Sequence, residues 1–449
     1  MSERRVIVLC GLNRFKFPTA NLTDLTWYHA GRPPPAAAIA AVKKALSGTG
    51  VFHASNHGVG SVTPLIAASK AFFDRPAAEK WACALPPMDR SRGWEMYPQH
   101  MKYHREMLAV RGADAALSFG HPEPSAAEGI LCERFVCGPP LVCSGEHSAS
   151  FAAHPFYSSE WAQVFYGRNV WPDSTAASTA ASTAADTPDR RTNSLRPLAE
   201  DAYPHLEKVA LACTQLIAAA LGAPHDAFDV LVASASPDRP EAPLRHHSRL
   251  QINNYPSQLR AGPGERRGCP IRASRHFDTS MLTVLCREPW VDDGAVAAGV
   301  SGALEVFDAS EQRWICIPSP PGEVTVFLGN LAALLTGFAL QGTTHRVSNP
   351  SPMSASDARR LSIGFNLKPD YTAKAMPPPA VRRALPGLPR VREEDVPLIG
   401  LVGRIGWQSH AMQTRGLSRL EAVSTFKTWK NDTVARLRED SRYGQACVF

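Results

Sequence analysis

No stretch of this 449-residue chain stays apolar for the ~20 positions that a membrane-spanning helix requires, so no membrane partner is expected. The opening Met1-Ser2-Glu3-Arg4-Arg5 lacks the apolar core of a secretory signal, and ten cysteines are thinly spread, a usage that fits a reducing, cytoplasmic setting. Tight cysteine pairs are missing as well. Cys132, Cys137 and Cys143 are spaced by five and six, with no matching His or Cys pair downstream, which speaks against a structural zinc. At the other end Ala446 stands where a prenylation signal would place its cysteine, so no lipid anchor is expected. The formal net charge is +7, but the basic residues are scattered and never gathered into a block interleaved with aromatics. That pattern describes a solvated surface and gives no reason to expect nucleic acid.

What the sequence does hold is a hydrophobic content of 44%, enough for one large core or two modest ones. Residues 1–173 read as mixed helix and strand. Val6 to Leu9 predicts a strand, Pro35 to Leu46 a helix, Gly50 to Val59 a strand and turn, and Thr63-Pro64 the start of another helix running toward Pro76. Within residues 174–196, Ser174 to Thr187 is a low-complexity Ser-Thr-Ala tract without large apolar side chains, read as a surface insertion. Residues 197–245 form a helical connection: Leu206, Val209, Ala210, Cys213, Leu216, Ile217, Ala220 and Leu221 recur at three and four and stop at Gly222 and Pro224.

From residue 246 to 370 the period changes to short strands. These are Leu250 to Tyr255, a run through Met281 to Leu285, a hairpin of Ala303 to Phe307 with Trp314 to Ile317, then Glu323 to Leu328, Thr344 to Val347 and Leu361 to Phe365. Strands joined by turns without intervening helices predict an antiparallel sandwich or barrel, and the helices around it make the fold class α+β. Residues 371–449 are a C-terminal extension ending in an amphipathic helix, with Ser418 and Glu421 at capping-box spacing and Leu420, Val423, Phe426, Val434 and Leu437 on one face.

Inside the strand-rich segment stands His276-Phe277-Asp278, followed far downstream by His345-Arg346-Val347 and Arg360-Leu361-Ser362. A histidine two residues before an acid is common, and His104-Arg105-Glu106, His121-Pro122-Glu123 and His205-Leu206-Glu207 repeat it. Only His276 opens a strand-like run, and in extended chain residues two apart point the same way. His276 and Asp278 can then face one metal while Phe277 turns away. Two histidines and a carboxylate on one side of a ferrous ion leave its other positions open, and Arg360 lies just beyond, able to grip a carboxylate. Arg359 competes for that role, but only Arg360 has a serine two residues on. His246-His247 reads as a polar, exposed approach to a strand, and His57 falls in the strand and turn of Gly50 to Val59.

Taken in order, these segments resemble the isopenicillin N synthase-like branch of the 2-oxoglutarate and iron(II)-dependent dioxygenases. The resemblance runs through Gly50 to Val59, Phe72-Phe73 to Glu79-Lys80, Asn169-Val170-Trp171-Pro172, Asn253-Asn254-Tyr255-Pro256, His276 to Leu285, Leu335-Thr336-Gly337, His345 to Pro350 and Arg360 to Phe365. It implies a double-stranded β-helix (jelly-roll) core with an N-terminal mixed region and flanking helices packed against it. It implies iron ligands at His276, Asp278 and His345, and it makes His57, in Asn56-His57-Gly58, a turn residue rather than a third ligand. Arg360 and Ser362 would hold the distal carboxylate of 2-oxoglutarate, with Tyr255 and Asn253 helping, the alternative for Tyr255 being to pack in the barrel wall. Iron(II), 2-oxoglutarate and dioxygen are the implied cofactors, with ascorbate an optional reductant. The implied reaction oxidises a small molecule, by default hydroxylating it, with release of succinate and carbon dioxide, and a monomer is expected. Relatives of the same fold that use dioxygen without 2-oxoglutarate, and a non-catalytic module that kept the fold, are the rival readings. Departures from the family pattern are the long intervals from Asp278 to His345 and from His345 to Arg360, through inserted Val291 to Ser301 and Ser351 to Asp357. Two more are Gly329-Asn330 for a common Gly-Asp, and Asn254 for a tyrosine, a change that could alter the pocket.

Overall fold

The computed structural model describes residues 16–84, 92–96, 132–139, 169–172, 194–232, 246–255, 271–287, 304–348, 359–370 and 373–388. The expected strand at Val6 to Leu9, the Ser174 to Thr187 tract, the insertions at Val291 to Ser301 and Ser351 to Asp357, and the C-terminal amphipathic helix lie outside the described residues.

Two sheets form the core. The larger runs in the order β1 (Thr19–Asn21), β2 (Val51–Ser55), β10 (Val324–Leu328), β7 (Leu282–Arg287), β12 (Arg360–Leu367), β5 (Arg249–Tyr255), β4 (Glu133–Cys137) and β3 (Gly93–Met96). The smaller runs β6 (Ile271–His276), β11 (His345–Ser348), β8 (Leu304–Asp308) and β9 (Arg313–Cys316). All pairs are antiparallel except β1 with β2. Strand alternation gives the large sheet two unlike faces. Leu250, Ile252, Val284, Cys286, Val326, Ile363 and Phe365 point outward into an apolar layer with the helices α1 (Ala36–Leu46), α2 (Thr63–Phe73) and α3 (Leu195–Ala220). Val51, Leu285 and Phe327 point inward and meet Leu304, Val306, Ile315 and Val347 of the small sheet. The architecture is the α+β jelly roll that the strand pattern and the resemblance implied.

Helix α3 begins at Leu195, earlier than the Leu206 that opened the sequence pattern, and carries Pro204 within it. An interior proline costs about 3 kcal/mol. Burial of Ala199 and Tyr203, one turn apart, offsets it: the Tyr203 ring packs edge-on against Phe365 at 5.0 Å and its hydroxyl donates to the Ser248 carbonyl at 3.0 Å. Strands β1, β3 and β4 also escaped the sequence reading, being short and lacking a long alternation. Cys132 and Cys137 flank or end β4, so their backbones stand roughly 17 Å apart in extended chain and cannot share one zinc ion. Among the described residues no single helix is long and apolar enough to cross a membrane; α3 passes that test only jointly with the helical residues after it, across a 120° bend.

One correction bears on the site. His276 closes β6 instead of opening the strand that follows, and Asp278 sits in the turn between β6 and β7. Gly329 makes that turn possible. A Cβ there would come within 2.0 Å of the Ser280 carbonyl oxygen, and the bare backbone lets Gly329 N–H donate to Met281 O at 3.0 Å and Asn330 N–H to Asp278 O at 2.7 Å.

Candidate metal centre and its surroundings

Pairing of β6 with β11 places His276 directly opposite His345, with ring centroids 4.2 Å apart. Asp278, two residues past the end of β6, brings its Oδ1 to 3.7 Å from Nε2 of His276 and 3.7 Å from Nε2 of His345. The three ligand atoms all lie within 4.8 Å of one another, and this is the sole such His/Cys/Asp/Glu group found among the described residues. His345 is buried, its ring 4.7 Å from that of Phe327, and its Nδ1 is 3.0 Å from the Thr343 carbonyl oxygen. A carbonyl can only accept, so Nδ1 carries a proton and Nε2 is the nitrogen turned toward Asp278.

The other carboxylate oxygen is spoken for. Asp278 Oδ2 accepts from the Thr283 hydroxyl at 2.5 Å and from Asn366 Nδ2 at 3.3 Å, while Asn366 also donates to Thr283 Oγ1 at 2.9 Å. Oδ1 is thereby left for the side where the imidazoles converge. Burial alone would raise the pKa of Asp278, but His345, His276, the Thr283 hydroxyl and Lys368 together outweigh it, holding the carboxyl below its usual range. The sequence reading missed Thr283 and Asn366, although a signal existed: Asn366 continues the even steps from Arg360 and Ser362 along one strand face. With Asp278 as a metal ligand, Thr283→Val and Asn366→Ala should each weaken iron binding by roughly ten- to a hundred-fold, the usual effect of losing an outer partner. A metal titration giving wild-type affinity in both would mean that Asp278 is oriented by something else.

The inward face of β12 carries Arg360 and Ser362, which register against Tyr255 and Asn253 of β5. Asn253 Nδ2 donates to Ser362 Oγ at 3.4 Å, and its own Oδ1 accepts from Gln251 at 2.8 Å. All four residues expected around an anion thus share one face. Arg359 is committed elsewhere, donating to Asn254 Oδ1 at 2.7 Å, to Asp74 Oδ1 at 2.7 Å and to the Lys70 carbonyl at 3.0 Å. Asn254, opposite Leu361, therefore points outward toward the helix Thr63–Phe73 and not into the pocket, correcting the expectation that it alters the site.

His246 and His247 are buried, not exposed: His246 Nε2 lies 2.7 Å from Glu207 Oε1 and His247 Nδ1 2.7 Å from the Pro369 carbonyl oxygen. Packing of the chain between α3 and the end of β12 covers them. His57 is a turn residue as expected, its Nδ1 accepting from Val59 N–H at 3.1 Å after Asn56 at φ +48°. A separate polar knot lies at β2, β7 and β10, where Arg287 donates to Ile317 O, Pro318 O and Thr325 Oγ1. Burial, helped by Arg287, pushes His53 down to about 4, so His53 is neutral there.

Residues 247–369 match the family model described as 2OG-Fe(II) oxygenase superfamily, and residues 17–129 match the N-terminal model of non-haem dioxygenases, described by reference to morphine synthesis. The chain belongs to the 2OG-Fe(II) oxygenase superfamily. This oxygenase is an oxidoreductase that works with iron(II), 2-oxoglutarate and dioxygen. It is 22% identical to the 2-oxoglutarate-dependent dioxygenase caaD of Aspergillus niger over 75% of this chain and 81% of that one. It is 23% identical to the 2-oxoglutarate-dependent dioxygenase traH of Penicillium crustosum over 74% of this chain and 79% of that one. Among solved structures, a full-length Neurospora crassa protein crystallised with alpha-KG and thymine superposes with a TM-score of 0.54 at 16% identity, covering 86% of this chain and 94% of that one, which shows the shared fold.

Proposed function

We propose that His276, Asp278 and His345 hold the iron(II), that Arg360 and Ser362, with Asn253 and Tyr255 beside them, hold 2-oxoglutarate, and that the enzyme hydroxylates a small molecule. The observation that carries this reading is the placement of one carboxylate oxygen 3.7 Å from each of two facing imidazole nitrogens. An ion bonded at roughly 2.0–2.2 Å to each donor spans such gaps, and two nitrogens with one oxygen suit ferrous iron with open positions.

When bound, iron(II) with 2-oxoglutarate and dioxygen supplies the oxidising power, 2-oxoglutarate leaving as succinate and carbon dioxide. The chain's own residues do the rest by placement. Thr283 and Asn366 fix Asp278 so that one oxygen alone faces the ion. The Thr343 carbonyl fixes the His345 tautomer. The planar guanidinium of Arg360 can meet a carboxylate with two parallel hydrogen bonds, and Ser362 can add a third donor from the same strand face. The inward apolar layer of Val51, Leu285, Phe327 and Val347 limits water around the reacting groups.

The test supplies iron(II), 2-oxoglutarate and a metabolite extract. One compound should gain a single oxygen atom, matched one for one by succinate. Oxidation of a compound without succinate release would instead place the protein with the oxidases that dispense with 2-oxoglutarate.

A further inference from the structure

We propose that Lys368 marks a subsite for a carboxylate of the substrate, on the side of the His276–Asp278–His345 triad away from Arg360. The inference rests on the reading of that triad as the iron site. Along β12, Asn366 is the residue that touches Asp278. Arg360 lies six residues before it and Lys368 two after, so at about 3.3 Å per residue their backbones stand roughly 20 Å and 7 Å away in opposite directions. Leu367 points outward into the helix-covered core, which turns Lys368 inward. Pairing continues past the strand end: Lys368 N–H donates to Ser248 Oγ at 3.0 Å, and Ser248 Oγ donates back to the Lys368 carbonyl at 3.4 Å.

Lys368 is only 7% exposed, and its ammonium has no hydrogen-bond partner among the described residues. The charges that bear on it are those of Arg249 and Asp278. Arg249, 8% exposed, registers opposite Asn366 and so lies on the same inward face. His247, also buried, is held neutral by burial and by Lys368 and Arg249, and His246 is paired with Glu207. Asp278 is the carboxylate whose charge bears on Lys368, and its oxygens are already directed to Thr283, Asn366 and the two imidazoles. A metal dication at the triad would offset the Asp278 charge that Lys368 faces. Buried cations are stable when an anion accompanies them. A carboxylate seated on Lys368 would hang the rest of a small acid beside the open positions of the metal, while Arg360 keeps the cosubstrate at the far end.

The experiment uses the full chain loaded anaerobically with iron(II) and 2-oxoglutarate. Calorimetric titration with a set of small carboxylic acids, each paired with its methyl ester, reads binding without turnover. At least one acid should bind ten-fold or more tightly than its ester. Lys368→Met should weaken that acid by roughly ten- to a hundred-fold and leave the ester unchanged, and Lys368→Arg should restore the preference. Affinity for 2-oxoglutarate itself, titrated separately, should be the same in wild type and Lys368→Met. The inference is overturned if no acid in the set outbinds its ester, if the preference survives in Lys368→Met, or if that variant loses 2-oxoglutarate ten-fold, which would assign Lys368 to the cosubstrate. A wild type that binds no 2-oxoglutarate sinks the proposed residue roles and this subsite together, and the separate titration reveals which has failed.

Discussion

Asp278→Ala is expected to lower iron affinity by more than ~100-fold and to abolish turnover while the protein stays folded. Removal of an outer partner alone costs roughly ten- to a hundred-fold, and loss of a direct ligand must exceed that. The site geometry makes the loss hard to repair. Oδ1 of Asp278 is the one carboxylate oxygen equidistant from both imidazoles, and the other acids of the strand-rich region, such as Glu305 and Asp308, are occupied by Arg346 and by the Ser310 turn. The fold should survive because the turn carrying Asp278 is held by its backbone, through Asn330 N–H to Asp278 O and Gly329 N–H to Met281 O. Metal analysis of the purified variant, read beside its circular dichroism, separates the two effects. Wild-type iron content in a folded Asp278→Ala protein would remove Asp278 from the ligand set. Asp278→Asn is the finer probe, keeping the contacts' shape while removing the charge that opposes His276, His345 and Lys368.

The candidate site was more legible than the sheet that carries it. Histidine, aspartate, histidine, arginine and serine announce themselves by residue type and spacing, and β12 could be read because Arg360 to Leu367 alternates between an apolar outer face and a polar inner one. The break between β6 and β7 was not legible, since His276 to Leu285 is continuously compatible with extended chain. The turn there is accompanied by the close approach of Gly329 to Ser280, a contact between segments far apart in the chain. Likewise Asn254, Arg359, His246 and His247 carry polar side chains that sequence alone cannot assign to a face. Their partners, Asp74, Lys70, Glu207 and Pro369, come from distant parts of the chain. Strand parity resolved the same problem for Asn366 and Thr283 once the register of β7 against β12 was known.

Arg360→Ala should raise the 2-oxoglutarate requirement by roughly ten- to a hundred-fold, the loss of one charge-assisted contact worth about 1.5–3 kcal/mol. The iron content should not change, because Arg360 lies six residues along β12 from the side chain that touches Asp278. Arg360→Lys keeps the charge and loses the planar fork, so its requirement should fall between those of wild type and the alanine variant. Arg359→Ala is the control that the geometry supplies. Its guanidinium ties Asn254 to Asp74 and the Lys70 carbonyl, so its removal should lower thermal stability and leave the 2-oxoglutarate requirement alone. If instead Arg360→Ala leaves that requirement unchanged, the anchor lies elsewhere on the inward face. Lys368 is then first in line, being buried, cationic and near Asp278, and its place as a substrate subsite would pass to the cosubstrate. Titrating 2-oxoglutarate against Arg360→Ala and Lys368→Met side by side therefore decides which end of β12 receives which carboxylate.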